Sequence, residues 1–368
     1  MATVRVPHMM GGTGETSYAN NSSFQRKVIM KVKPILEESV KRMITNTGFQ
    51  SCWKVVDLGC SSGPNALLAV SNILNSIIDK YNLSLKHEIP VFQIYLNDLY
   101  GNDFNTIMKL LPDFNQSCQE RGAEACFVRA TPGNFYGRLF PNDYIHFFHS
   151  SCSIHWLSQA PKNATNIAEP LNKGDIYLSN TSPPSVYEAY SKQFAKDFKV
   201  FLKSRSKELS PGGIMVLTLM GREKLKEYEI CYPGVVFGKV LNDMVQEGLV
   251  EEKKVDFFDI PIYNPTAEEI KQVIEVEGSF ILETLKSIKI DWDGNIQEDV
   301  DDFVLDYKIR GDFVSKYMRA GFEPLISAEF GKDIMDELFS RFTKKVAQLI
   351  KLDTMEYTFW IVTLSKYP

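Results

Sequence analysis

The sequence predicts an α/β fold: a doubly wound, mostly parallel sheet with an α-helical cap added late in the chain. Three observations predict it. A strand-like run at 53–58 passes through a glycine-rich turn directly into a helical period. Strand-sized apolar runs then alternate with helical segments as far as residue 219. From about residue 223 the periodicity turns helical, apart from two late strand-like runs suited to an antiparallel return to the sheet.

Taken in order, residues 7–23 form an arm rich in Gly, Ser and Asn. Its end, Asn20-Asn21-Ser22, caps a helix over 24–43 that carries Val28, Val32, Ile35, Leu36 and Val40 at helical spacing. The strand at 53–58 is followed by Gly59-Cys60-Ser61-Ser62-Gly63, then by Pro64 at the first helical position and a helix over 66–78. Further strands are expected at 90–96, closed by Asn97-Asp98, at 144–149, and at 176–179. A helix over 186–209 stops at Pro211-Gly212-Gly213, ahead of a buried strand at 214–219. Helices follow at 234–247, 266–276, 307–320 and 329–350, with strands at 280–290 and 357–364. This divides the chain into an arm plus sheet domain over 1–222 and a mainly helical cap over 223–356.

Composition narrows the function class. At 368 residues, 44% hydrophobic and 24% charged, the chain is an ordinary globular one rather than disordered, collagenous or coiled-coil. The balance of 41 basic and 46 acidic residues gives −5, which speaks against a nucleic-acid partner. No apolar run near Met1 has the length of a secretory signal, and none elsewhere reaches a bilayer span. The six cysteines (52, 60, 118, 126, 152 and 231) form no CxxC pair and read as reduced thiols. A cytoplasmic protein with no membrane partner is the expectation.

The strongest local signal for chemistry is Asp57-Leu58-Gly59-Cys60-Ser61-Ser62-Gly63 between strand and helix. Glycines let the backbone turn tightly and approach a ligand at the helix N-terminus. The middle glycine of GxGxxG is absent and no Gly-Lys-Ser/Thr follows, so a P-loop is excluded. An acidic strand end with a short glycine loop suits an adenosyl ligand without pyrophosphate; a plain βα turn with no ligand is the alternative. Asp98, at the end of the next strand, is placed to accept both hydroxyls of a ribose.

With these residues stand others in a recognisable order: His8-Met9-Met10-Gly11-Gly12, Ser17-Tyr18-Ala19-Asn20-Asn21-Ser22, Leu96-Asn97-Asp98-Leu99, residues 133–141, and His149-Ser150-Ser151-Cys152-Ser153-Ile154-His155-Trp156-Leu157-Ser158. Ile260-Pro261-Ile262-Tyr263, Glu277-Gly278-Ser279-Phe280 and Met318-Arg319-Ala320 continue it. The chain resembles, nearly end to end, the plant SABATH methyltransferases, named for salicylate, benzoate and theobromine enzymes. The resemblance implies the class I methyltransferase form of the fold, S-adenosyl-L-methionine as methyl donor with S-adenosyl-L-homocysteine as product, a small plant metabolite as acceptor, and a homodimer.

By the same resemblance the cofactor is held by Tyr18, Cys60, Asn65, Asp98, Leu99, Asn134 and Phe135, with Ser22 and Asp57 close by. Gln25 and Trp156 approach the acceptor and align its carboxylate. His155 joins them, with Met10, Cys152, Gly234, Phe237, Tyr263, Met318, Phe322 and Tyr357 as further pocket walls. Asn134 departs from the family's usual serine, and Met10 from a polar or basic residue. Cys152 replaces an aromatic, His155 a methionine, and the bulky Trp of the cap near Gly234 is missing. Two lost aromatic walls imply a larger or less flat pocket than salicylate needs. Positions credited with Mg²⁺ in some members match Asn180, Asp256 and Phe258, although Asp259 replaces the usual Asn and methyl transfer to a carboxylate needs no metal.

Other patterns have plainer readings. His146 and His149 would face opposite sides of a strand, so His146-x-x-His149-x-x-Cys152 is not a shared metal site. Asp291-x-Asp293-x-Asn295 opens like a calcium loop, but Ile296 stands where glycine is required, and the acidic stretch through Asp306 reads as a solvated loop. The expected activity is methyl-ester formation on a small plant acid, benzoate-like or bulkier, such as an alkaloid precursor. The alternatives are N-methylation of a xanthine, with His155 bonded to the purine, and a non-catalytic small-molecule binder.

Overall fold

The computed structural model describes residues 8–84, 87–162, 169–223, 232–296 and 306–367. After the arm come α1 (Ser23–Thr47), β1 (Cys52–Leu58), α2 (Pro64–Leu83), β2 (Val91–Asp98), α3 (Phe104–Met108), α4 (Leu111–Glu120), β3 (Cys126–Pro132) and β4 (Ile145–Ser151). Next are α5 (Pro184–Glu208), β5 (Leu209–Gly221), α6 (Pro233–Gln246), α7 (Glu252–Asp256), α8 (Ala267–Glu277) and β6 (Phe280–Asp291). The described chain closes with α9 (Tyr307–Phe330), α10 (Met335–Leu352) and β7 (Glu356–Lys366).

The strands form one sheet in the order β3-β2-β1-β4-β5-β7-β6. The first five are parallel, and β7 runs antiparallel to both β5 and β6. β1 and β4 lie side by side although β2 and β3 intervene in sequence, so the winding reverses between them. In a doubly wound sheet the ligand crevice opens at the carboxyl ends of the strands beside such a reversal. The register brings Asp57 opposite His149 and Leu58 opposite Asn97, which gathers the ends of β1, β2 and β4. Two apolar clusters flank the sheet. One packs α1 and α2 through Val32, Leu36, Val70 and Ile73 against Val55 and Ile94. The other joins α5, α6, α9 and α10 through Phe198, Phe237, Val314 and Phe342.

Several elements differ from expectation. Residues 176–179 are not a strand: Ile176 only accepts the N–H of Ile260 with its carbonyl, at 2.8 Å, inside a loop. β3, α3 and α4 were not foreseen. β3 is an edge strand whose residues are mostly exposed or half-buried, so it carries no apolar alternation. β5 starts at Leu209 and runs through Pro211-Gly212-Gly213, with a register shift between the Ile145 and Phe147 pairings that absorbs them. β7, not an edge, lies between β5 and β6. α9 continues past the expected end through Pro324 to Phe330. Among the described residues no helix is long and apolar enough to cross a membrane. Cys231 and residues 297–305, most of the acidic stretch, lie outside the described residues; the other five cysteines are free thiols.

Candidate active site

The turn after β1 is shaped by three left-handed residues: Gly59 (φ 73°), Ser61 (φ 54°) and Gly63 (φ 104°). The N–H groups of Gly59 and Cys60 both reach the carbonyl of Asn97, at 2.9 and 3.0 Å, tying the turn to the end of β2. A Cβ on Gly63 would stand 2.8 Å from the Cα of Ala19, so the glycine lets the arm lie flat on the turn. Asp98 Oδ2 accepts the N–H of Ser61 and Oδ1 that of Leu99, each at 2.7 Å. Burial pushes the Asp98 carboxyl up to about 6, against the pull of those two amides.

A cavity of about 670 Å³ opens over this turn, lined by Tyr18, Gly59, Ser61, Asp98, Leu99, Asn134, Phe135 and Cys152 among others. The Oγ of Ser61 is buried there without a hydrogen-bond partner. Asn134 Oδ1 accepts the N–H of Tyr136 at 2.9 Å, which leaves its amide NH₂ for a ligand. An adjoining recess is lined by Asp57, Cys60, Asn65 and His149 together with Tyr18 and Gln25. Within it Asp57 Oδ1 and His149 Nδ1 are 2.7 Å apart and both residues are buried. Ser22 stands behind the recess: Asn65 donates to its Oγ at 2.9 Å and to its carbonyl at 2.8 Å.

The second cavity, about 760 Å³, shares Met9, Tyr18, Cys152 and Trp156 with the first and continues under the cap helices. Its walls include Gln25, His155, Gly234, Met318, Phe322 and Tyr357. Gln25 Oε1 is buried with no partner, and among the described residues the indole N–H of Trp156 has none either. Trp156 itself is held firmly. Its N–H donates to the Ser153 carbonyl at 3.0 Å, Tyr136 donates to its own carbonyl at 2.6 Å, and it bridges Ile262. The Phe322 ring centroid lies 5.2 Å from its own.

His155 is buried, and burial drives its imidazole down to about 3, so it is neutral at working pH. Its Nδ1 accepts the N–H of Met220 at 3.3 Å, which assigns the ring proton to Nε2. Cys152 has φ 57°, and burial pushes its thiol up to about 12. Tyr18 lines both cavities and the recess, and burial raises its phenol far beyond ordinary titration.

Three expected residues of the acceptor wall lie elsewhere. Met10 is displaced by one position: Met9 lines both cavities, while the backbone of Met10 bonds Ala320 and Tyr18. Phe237 is fully buried behind the wall, stacked on Phe342 at 4.0 Å between centroids. Tyr263 points away from the cavity to Arg222 and Glu269. Tyr177, Tyr232, Asn264 and Tyr317 are walls that the sequence reading did not single out. Of the positions matched to Mg²⁺, Asn180 is exposed, Asp256 Oδ1 accepts the N–H of Gly174 at 2.9 Å, and Phe258 packs on Phe330. These residues offer a single carboxylate, already engaged, and no step below passes through a metal. Among the described residues no three His, Cys, Asp or Glu side chains cluster as metal ligands.

The comparisons agree with this geometry. The family model for SAM dependent carboxyl methyltransferases matches residues 4–367. A probable jasmonic acid carboxyl methyltransferase of Theobroma cacao is 44% identical, with all of both chains covered. A probable caffeine synthase of Coffea canephora is 42% identical over 100% of this chain and 99% of its own. A solved loganic acid methyltransferase with S-adenosylhomocysteine superposes with a TM-score of 0.83 at 29% identity, covering 98% of this chain and 99% of that one. The switch-point cavity, its strand-end carboxylate and these full-length likenesses place the chain in the SABATH family of S-adenosylmethionine-dependent carboxyl methyltransferases.

Proposed function

We propose that the chain methylates the carboxylate of a small plant acid bulkier than benzoate. The observation that carries this reading is the pair Gln25 and Trp156: two side chains with polar groups unpaired within the protein, on the wall of a mostly apolar and aromatic cavity. The indole N–H and the amide NH₂ suit one carboxylate, each as a donor. The jasmonic acid and loganic acid named for the relatives are both acids of that kind.

The residues over the first cavity fit an adenosyl group. The half-buried Asp98 carboxylate suits a ribose diol, Leu99, Phe135 and the free amide of Asn134 suit adenine, and Ser61 Oγ is a buried polar atom awaiting a partner. Asp57, Cys60 and Asn65, with Ser22 behind them, would receive the amino-acid end, and Tyr18 spans both. When bound, S-adenosylmethionine supplies an electrophilic methyl group.

The protein's part is then alignment and exclusion of water. A carboxylic acid is ionised at neutral pH with a pKa of about 4, so no general base is required. Gln25 and Trp156 hold the carboxylate against the shared wall of Met9, Tyr18 and Cys152, where the two cavities meet. Aromatic walls strip the carboxylate of water and sharpen its nucleophilicity. His155 presents Nε2–H to a second polar group of the acceptor. Cys152 and Gly234 place little bulk on this wall, in keeping with an acceptor larger than benzoate. A cytosolic homodimer is part of the proposal and rests on the family likeness.

The test is methyl transfer from labelled S-adenosylmethionine across a panel of benzoates, bulky aliphatic and alkaloid acids, and xanthines. A base-labile product from a bulky acid is expected. Base-stable product on a xanthine would install the second reading, favoured by the neutral His155 donor and the caffeine synthase likeness. Absence of turnover with intact binding would leave a non-catalytic binder.

A further inference from the structure

Each cavity is walled in part by a loop, and each loop is tied down by one arginine–glutamate pair, fully buried in the first case and with a half-buried glutamate in the second. On the cofactor side the pair is Arg205 and Glu208, on the last turn of α5, both with no exposed surface. Arg205 Nε and Nη2 contact Glu208 Oε2 at 2.8 and 2.7 Å. Nη1 donates to the carbonyl of Phe135 at 2.7 Å and Nη2 to that of Gly137 at 2.8 Å. Glu208 Oε1 accepts the N–H groups of Leu139 at 2.6 Å and Phe140 at 3.1 Å, and Arg138 Nε at 3.2 Å. Ser204 adds a bond to the carbonyl of Tyr136 at 3.1 Å. Loop 135–140 therefore hangs on α5, and Asn134 and Phe135, at its start, line the cofactor cavity.

On the acceptor side the pair is Arg222, just past β5, and Glu269 on α8, 3.1 Å apart. Arg222 also donates to the carbonyl of Asn264 and, at 2.7 Å, to the Tyr263 hydroxyl, which in turn bonds Glu269. Segment 261–263 is bonded to 155–157 through Leu157 N–H to the Pro261 carbonyl (2.7 Å) and Tyr263 N–H to the His155 carbonyl (2.9 Å). The second pair thus backs the strip that holds His155 and Trp156.

We propose that the two pairs are positioning devices with separate duties, Arg205–Glu208 setting the cofactor half of the site and Arg222–Glu269 the acceptor half. The proposal rests on the assignment of the two cavities given above. Apolar packing would stabilise such positions at least as well as a buried ion pair, so stability alone does not account for either. A guanidinium, however, reaches a carboxylate and two carbonyls at once through its fixed fork of donors, which a lysine cannot do. The Phe148 and Phe201 rings, 5.3 and 5.4 Å from the Arg205 guanidinium, hold that fork in place.

The experiment compares Arg205→Lys and Arg222→Lys with wild type in S-adenosylhomocysteine calorimetry and steady-state kinetics on the best acceptor of the panel. Arg205→Lys is expected to weaken S-adenosylhomocysteine binding about ten-fold, the loss of a charge-assisted bond, with the acceptor KM within about two-fold. Arg222→Lys is expected to do the reverse. If Arg205→Lys does not fold, Ser204→Ala combined with Arg138→Gln loosens the same loop while keeping the Arg205–Glu208 pair itself, and weakened binding of S-adenosylhomocysteine is again expected. Equal shifts of both constants in each variant, or unchanged binding in a folded Arg205→Lys or in the substitute, overturn the proposal. A wild type that fails to bind S-adenosylhomocysteine overturns the cavity assignment itself, and is told apart by needing no variant.

Discussion

The backbone N–H of Met10 reaches the carbonyl of Ala320 at 2.9 Å, and in α9 the residue four positions on from Ala320 is Pro324. A helical carbonyl is normally satisfied by the N–H four residues later, and proline has none. The break in α9 thus creates the acceptor on which the arm is fastened. Pro324→Ala would return that carbonyl to the helix and compete with Met10. The expected outcome is a higher melting temperature together with an about five-fold rise in the KM of both substrates, the equivalent of one backbone hydrogen bond. Thermal unfolding and kinetics on the same preparation check it; unchanged KM values would show that the arm is held by other means.

Cofactor affinity should depend on pH through Asp98. Its carboxyl, pushed to about 6 by burial and by Asp57, with His8 acting in the other direction, must be ionised to accept a ribose diol. Binding selects the ionised form, so affinity is full above pH 6 and falls as pH drops below it, by up to ten-fold per unit. Calorimetry with S-adenosylhomocysteine between pH 5 and 8 reads this directly. Asp98→Asn should cost about 30-fold at pH 7.5 and flatten the profile.

Gln25→Ala and Trp156→Phe each remove one donor from the wall the two sides share, while leaving Ser61, Asp98 and Asn134 of the cofactor cavity in place. Each should lower kcat/KM for the acceptor about ten-fold or more, with S-adenosylhomocysteine affinity changed less than about two-fold. Variants that turn over an acid as wild type does would remove these residues from the carboxylate clamp.

Cys152 is a wall and not a nucleophile. With its thiol pushed up to about 12 by burial, it should resist iodoacetamide at pH 8 while Cys52, half-buried at the start of β1, reacts faster. Peptide mapping after timed alkylation measures both. Cys152→Ala should leave turnover within about three-fold, and Cys152→Phe should shift preference toward small flat acids.

His155 should leave no imprint on the pH profile. Its imidazole is held near 3 by burial, so kcat/KM for the acceptor is expected to show the ionisation of Asp98 near 6 and no separate histidine step between pH 5 and 8. His155→Phe keeps the bulk and removes Nε2–H, so its effect should appear only with acceptors that carry a second polar group.

What was legible in the sequence follows from the physics of each segment. Asp57, Gly59 and Asp98 announce themselves because a buried parallel strand ending in an acid and a glycine turn is a strong local pattern. Gln25 and Trp156 carry no such pattern and were found by family likeness. Met9 lines the cavities where Met10 is expected, because an irregular arm has no period with which to phase its side chains. Phe237 and Gly234 share a face of α6, yet only the glycine reaches the cavity, since Phe342 draws the phenyl ring into the core. Tyr177 and Tyr232 lie outside regular elements, so nothing in the sequence marks the direction in which they point.

The place of β7 bears on how the chain is made. β5 and β6 meet only through residues 356–366, which are synthesised after both of them. Until then the nascent chain holds two unsatisfied strand edges, one of them the apolar run Ile214–Leu219. Such edges invite pairing with other chains until β7 covers them. Loss of residues 356–366 would leave both edges open and also strip Tyr357 and Phe359 from the acceptor wall, so an aggregating product is expected rather than a slow enzyme.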